Sequence, residues 1–202
     1  MTTADTTEQL AKTASTTHPV HELLRRRWSP RAFSPEPVTP EQVATLFEAA
    51  TWAASASNLQ PWVFVYAHRA DTADFERLLG CLAPANQTWA KDAALLVCTL
   101  ARTTLPNGKP NEWARHDAGS ANTTLWLQAT ALGLYAHPMA GFDADQTRAA
   151  FALPPDVEPV TFTSIGHLGS PDQLPEPNRS RELAPRTRKP VAEVAFAGMP
   201  VW

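Results

Sequence analysis

The chain has 202 residues, of which 44% are hydrophobic and 18% charged, and its net charge is −3. That is enough apolar material for one large domain with its own core. The charge balance excludes the strongly basic surface usual in a nucleic-acid-binding protein.

Two cysteines, Cys81 and Cys98, form no CxxC pair, and six scattered histidines form no HExxH or HxH pair, so no metal site is expected. No apolar run reaches the length that spans a bilayer, so no membrane partner is expected. Residues 1–17 are rich in Thr and Ala and lack the apolar centre of a secretory signal. They read as a mobile N-terminal tail ahead of a single domain over 18–202, and the expected location is the cytoplasm.

His18 to Arg27 predicts a short helix, with Val20, Leu23 and Leu24 on its apolar face. Arg27-Trp28-Ser29-Pro30-Arg31 follows. Pro30 pushes Ser29 towards an extended backbone, and in an extended segment Arg27, Ser29 and Arg31 share one face. Two guanidinium forks and a hydroxyl on one face suit a phosphate. Taken alone, the segment reads equally as a solvated basic turn.

Thr39-Pro40-Glu41-Gln42 is a helix start, with Thr39 as N-cap, Pro40 in the first turn and Gln42 closing a capping box. The helix is expected to run to about Ala53. A small, polar stretch, Ala54 to Gln60, leads into a strand from Trp62 to Ala67. Within it Asn58 and Gln60 offer amides suited to a heterocycle edge, or else simple turn chemistry. Residues 71–92 predict two helical pieces broken near Pro84. Ala93 to Ala101 is a continuous apolar run of strand length and reads as a buried strand.

Arg102 to Glu112, with two prolines and a glycine, is a loop long enough for a functional lid. Trp113 to Leu132 is a long helix, with its later half expected to be the more deeply buried. Gly133 ends it, and Leu134 to Gly141 is strand-like. Asp143 caps a short helix to Phe151, and Val160 to Leu168 is a further strand. The remainder shows no helical period until Val191. A second basic pair, Arg186 and Arg188, repeats the i, i+2 spacing beside prolines, so two pairs distant in sequence are candidates to meet on one phosphate. His116 and Asp117 are adjacent on a helix, a spacing at which side chains do not ordinarily face each other. GxGxxG, GxxxxGK[ST] and GxSxG are all absent.

Four motifs in this order resemble the nitroreductase-like FMN-dependent oxidoreductases: RWSPRAF at 27–33, SASNLQPW at 55–62, GLYAHPMAGFD at 133–143 and RTRKP at 186–190. The resemblance implies an α+β fold with a mostly antiparallel central sheet flanked by helices, built as an intertwined homodimer with FMN at the subunit interface. It implies that Arg27, the Trp28 backbone, Ser29 and Arg31 hold the FMN phosphate and ribityl chain, with Arg186 and Arg188 closing on the same phosphate. Ser55, Ala56, Ser57, Asn58 and Gln60 would reach the flavin bound mainly by the other subunit. Asn86 would lie near the pyrimidine edge. Pro138, Met139, Ala140 and Gly141 would lie under the isoalloxazine, with the Ala140 N–H towards N5.

The tail near Val191 to Trp202 would reach across to the partner. Departures from the family pattern are Ala54 for a common proline, Ala56 for a common serine, Trp89 where some relatives carry a lysine, and Ala140 for an acidic residue. The implied activity passes hydride from NADH or NADPH through flavin N5 to a small electron-poor acceptor, such as a nitroaromatic or quinone, by a ping-pong route. No side chain is required as a catalytic acid or base. The alternative is a flavin-binding protein for storage, sensing or flavin breakdown.

Overall fold

The computed structural model of the chain describes residues 12–200. The expected N-terminal tail therefore lies outside the described residues over 1–11, as do Val201 and Trp202 of the expected C-terminal tail. Residues 12–14 are tied down: the Ala14 N–H donates to the Arg25 carbonyl at 2.9 Å, and Lys12 Nζ donates to the Ala184 carbonyl at 2.6 Å.

Helix α1 is Glu22–Arg26, shorter than the apolar spacing predicts, because the His21 side chain caps it by accepting the Leu23 N–H. Helix α2 is Pro40–Thr51, and both bonds of its capping box are made, by Thr39 and by Gln42. Strand β1 is Trp62–His68, α3 is Thr72–Gly80, and α4 is Pro84–Ala90, with Pro84 in its first turn. Strand β2 is Leu95–Arg102 and α5 is Ala114–Ala131. Strand β3 is Tyr135–Met139, α6 is Ala144–Ala150, β4 is Val157–Gly166 and α7 is Asn178–Leu183. The Pro- and Arg-rich remainder thus does form a helix, α7, one too short for a periodicity to register.

The sheet order is β1-β2-β4-β3, and every pairing is antiparallel. This is the expected α+β arrangement. Strand β2 is central and buried on both faces, which explains its unbroken apolar sequence. Its Leu96, Cys98 and Leu100 pack in one core with Phe75, Leu78, Trp89 and Phe162. Leu95, Val97 and Ala101 pack in a second core with Leu46 of α2 and Leu125 of α5. Burial along α5 is not confined to its later half, since Ala114, Asp117, Ala118, Ala121 and Asn122 are buried as well. A face of small residues lets the whole helix lie close against the sheet, and Asn122 is satisfied by the Thr99 hydroxyl, which donates to Oδ1 at 2.7 Å.

Cys81 and Cys98 are both buried and unpaired. Among the described residues no helix is long and apolar enough to cross a membrane, and no cluster of His, Cys, Asp or Glu could hold a metal ion.

Candidate functional site

Burial alternates from Arg27 to Ala32. Arg27, Ser29 and Arg31 are part-exposed, whereas Trp28, Pro30 and Ala32 are buried. This is the period-two pattern expected of an extended segment. Trp28 packs edge-on against Tyr135, with ring centroids 6.1 Å apart. Buried alternates of this kind hold the three polar residues on the open side, where Arg27 Nη1 donates to Ser29 Oγ at 3.3 Å.

The chain end returns to that side. Lys12, Arg27, Trp28, Ser29, Arg31, Arg181, Glu182, Arg186 and Arg188 line one cavity of about 220 Å3. The two basic pairs therefore converge although some 160 residues separate them in sequence, Arg186 Nη1 donating to the Arg25 carbonyl across 161 residues. Among the described residues, six cationic side chains and one carboxylate line the cavity. Burial, then the Arg188 charge, pushes Arg27 below its ordinary value. Burial, then Arg27 and Arg188, does the same to Arg186. Mutual repulsion of this kind is relieved by an anion.

The late pair is not equivalent in the structure. Arg186 Nη1 donates to the Lys12 and Arg25 carbonyls at 2.7 and 2.8 Å, fastening three segments together. Arg188 is exposed, and among the described residues its Nη1 donates only to the neighbouring Thr187 carbonyl, at 2.7 Å.

Asn86 is brought to the Pro138–Gly141 segment. Its Nδ2 donates to the Gly141 carbonyl at 2.9 Å, and the Ala83 N–H donates to the same oxygen at 3.0 Å. A Cβ on Gly141 would sit 2.8 Å from Asn86 Nδ2, so a larger residue there would have to displace the Asn86 amide. Met139 is buried, and Ala140 lies exposed just past the end of β3.

The Ser55–Gln60 loop does not line the cavity. It packs instead on the start of α5, where the Ala56 N–H donates to Asp117 Oδ2 at 3.0 Å. Ser57, Asn58 and Gln60 all take positive φ, at 50°, 56° and 48°. Gln60 Nε2 donates to Asn58 Oδ1 at 3.1 Å, so the two amides engage each other. His116 and Asp117, adjacent on α5, do meet: His116 Nδ1 lies 3.0 Å from Asp117 Oδ1. The His116 ring also lies edge-on to Trp113, with centroids 5.9 Å apart.

Three participants escape sequence reasoning. Glu182 is 1% exposed and accepts the Arg31 N–H on both oxygens at 2.9 Å and the Ala32 N–H at 3.2 Å. Burial pushes its carboxyl up, against the opposing effect of those N–H groups and the Arg31 guanidinium. His137 Nδ1 lies 2.9 Å from the Pro30 carbonyl, and burial holds its pKa down at about 4. Its neutral ring therefore donates from Nδ1. Lys12 lies over the Trp28 ring at 5.2 Å. Trp89 is a core residue, 1% exposed, with its ring 4.5 Å from His137 and 5.9 Å from Arg31 Cζ.

The residues fit a phosphorylated ligand. Cations outnumber acids among the described lining residues, and the one carboxylate is taken up by backbone N–H groups.

Residues 24–167 match the model of the nitroreductase family. An uncharacterised 15.4 kDa protein of Mycolicibacterium smegmatis is 38% identical over 135 residues, covering 64% of this chain and 87% of that one. A Rhodopseudomonas palustris protein named "Putative NADH dehydrogenase/NAD(P)H nitroreductase" is 33% identical over 131 residues, 55% of this chain and 66% of that one. Among solved structures, an oxidoreductase containing FMN superposes with a TM-score of 0.87 at 39% identity, covering 92% of this chain and 94% of that one. A nitroreductase family protein from Clostridium difficile 630 shares the fold, with a TM-score of 0.70 at 24% identity over 88% of this chain and 97% of that one. Fold, motif order and family match agree: the chain belongs to the nitroreductase family.

Proposed function

We propose that the protein is an FMN-dependent oxidoreductase that takes hydride from NADH or NADPH and passes it to a small electron-poor acceptor, a nitroaromatic or quinone, in two successive half-reactions. The observation that carries this reading is the convergence of Arg27, Ser29 and Arg31 with Arg186 and Arg188 on one cavity. The FMN content of the relative at 39% identity supports the cofactor, and the name of the R. palustris relative supports the dinucleotide.

Arg27, Ser29, Arg31 and Arg188 bind the phosphate, Arg186 holding the chain segments that frame it. Asn86 is docked on Gly141 through its Nδ2, which leaves its amide oxygen as an acceptor for the ring. Ala140 offers its backbone N–H as a donor towards the ring. FMN bound here would supply the hydride-accepting and hydride-donating centre.

The Ser55–Gln60 loop serves the site of a second subunit, which makes the working unit a homodimer. Val191, Val194 and Met199, at 61%, 62% and 87% exposure, are the apolar contacts the C-terminal segment offers that subunit.

Purified protein should be yellow, sediment as a dimer, and bleach anaerobically when NADH or NADPH is added. Nitroaromatic or quinone should then restore the colour. A yellow protein that neither dinucleotide bleaches would favour flavin storage or sensing. A colourless protein that FMN cannot load would refute both readings.

A further inference from the structure

A carboxylate in the wall of a phosphate site is at first sight misplaced, because it repels the ligand. Glu182 is the one acidic residue among the residues lining the cavity, and it is 1% exposed. A buried carboxylate of this kind persists only where donors satisfy it. Here the donors are main-chain N–H groups of the turn that carries the phosphate ligands. Both oxygens accept the Arg31 N–H at 2.9 Å, and Oε1 also accepts the Ala32 N–H at 3.2 Å. The Arg31 guanidinium lies 4.0 Å from Oε2.

On the other side of the same turn the Pro30 carbonyl accepts from His137 Nδ1 at 2.9 Å. Three consecutive residues, 30 to 32, are thus held by an acceptor from α7 and a donor from β3. The shortest contacts of Glu182, and the Nδ1 contact of His137, go to the backbone that carries Arg27, Ser29 and Arg31.

We propose that Glu182, with His137 opposing it, is the positioning residue of the anion site: it sets the Pro30–Ala32 backbone before the phosphate arrives and so governs selectivity for the phosphorylated ligand. This rests on the reading of the cavity as a flavin phosphate site. Substituting Gln at 182 keeps the volume but turns an amide donor towards the Arg31 N–H or the Arg31 guanidinium. Substituting Asp keeps the charge and withdraws it by one methylene. In both, the turn loses its template, while the ring-binding parts, Asn86 and Pro138–Gly141, are untouched.

The test compares FMN and riboflavin, which differ only in the phosphate, by titrating their fluorescence with the flavin-free protein. Inorganic phosphate is titrated as competitor. Glu182→Gln should weaken FMN by about 10- to 100-fold, the range expected for charge-assisted hydrogen bonds. Riboflavin affinity should change less than about 2-fold, within the usual error of additivity. Competition by phosphate should weaken in parallel with FMN.

Equal losses for FMN and riboflavin would show a merely structural residue and overturn the proposal, as would unchanged FMN affinity. Should Glu182→Gln fail to fold by circular dichroism, Glu182→Asp carries the same comparison with the same expected split. Failure of the wild-type protein to bind FMN at all would instead overturn the flavin reading of the cavity.

Discussion

Arg186 Nη1 donates to the Arg25 carbonyl at 2.8 Å, tying the C-terminal segment to the helix that precedes the Arg27–Arg31 turn. The same nitrogen donates to the Lys12 carbonyl at 2.7 Å. Arg188, two residues on, makes no such bond to another segment among the described residues. Two arginines that look interchangeable in sequence therefore divide into a fastener and a side chain that no other described segment holds by a hydrogen bond.

That division predicts separable variants. Arg186→Ala should destabilise the flavin-free protein by about 2 kcal/mol, the order of one to two charge-assisted hydrogen bonds, lowering Tm by ~4–8 °C. Arg188→Ala should leave Tm within ~2 °C, as exposed substitutions do, yet raise the FMN Kd by about 10-fold. Differential scanning calorimetry beside a fluorescence titration reads both. A large Tm loss in Arg188→Ala would sink the distinction.

Asp117 controls the 55–60 loop. Ser57, Asn58 and Gln60 hold left-handed backbone that L-residues adopt at a cost of about 1–2 kcal/mol each. The Ala56 N–H bond to Asp117 is one anchor that keeps them there. Asp117→Ala should cost about 1–3 kcal/mol by stranding that donor and should accelerate amide exchange from Ala56 to Gln60. Ser57→Gly should slow it, since glycine takes φ 50° freely. Unchanged exchange in Asp117→Ala would show that the loop is held by other means.

His137 makes stability depend on pH. Burial, followed by the Arg31 and Arg27 charges, lowers its pKa from 6.5 to about 4 in the folded chain. Between these values the unfolded chain takes up a proton that the folded chain refuses. Stability is thus complete above about pH 6.5 and falls as pH drops towards 4, by about 1.4 kcal/mol per unit and ~3 kcal/mol in all. Below 4 the folded chain also protonates and this loss levels off. Urea unfolding of the wild type against His137→Gln, at pH 7 and pH 4.5, isolates the effect. An equal pH response in the two proteins would contradict it.

Gly141→Ala places a methyl 2.8 Å from Asn86 Nδ2. Either Asn86 swings away, losing its bond to the Gly141 carbonyl, or the 138–141 segment shifts. The expected loss is about 1–3 kcal/mol, as for other overpacked contacts. The visible flavin spectrum should also shift, because both candidate ring contacts move together. An unshifted spectrum with unchanged Tm would remove Asn86 and Gly141 from the ring site.

Much of this was legible in the amino-acid sequence because it depends on near neighbours. The alternation from Arg27 to Ala32, the Thr39–Gln42 capping box, the break at Pro84 and the doubly buried β2 are all written in residues a few positions apart. Backbone restriction by proline, capping geometry and hydrophobic period act over that range. Motif order carried the family. Short α7 left no periodic signal, and small residues hid the full burial of α5.

Only the tertiary structure decided who meets whom. The order β1-β2-β4-β3 carries His137 to the Pro30 carbonyl, 107 residues away in sequence. The return of the chain after β4 sets Glu182 under the Arg31 N–H, 151 residues away. It also separates Arg186 from Arg188 in role. A carboxylate or imidazole has no local signature of its partner, because its partner is fixed by how the sheet and its flanking helices close. The basic turn at Arg27–Arg31 is local physics; the cavity that makes it a site is long-range packing.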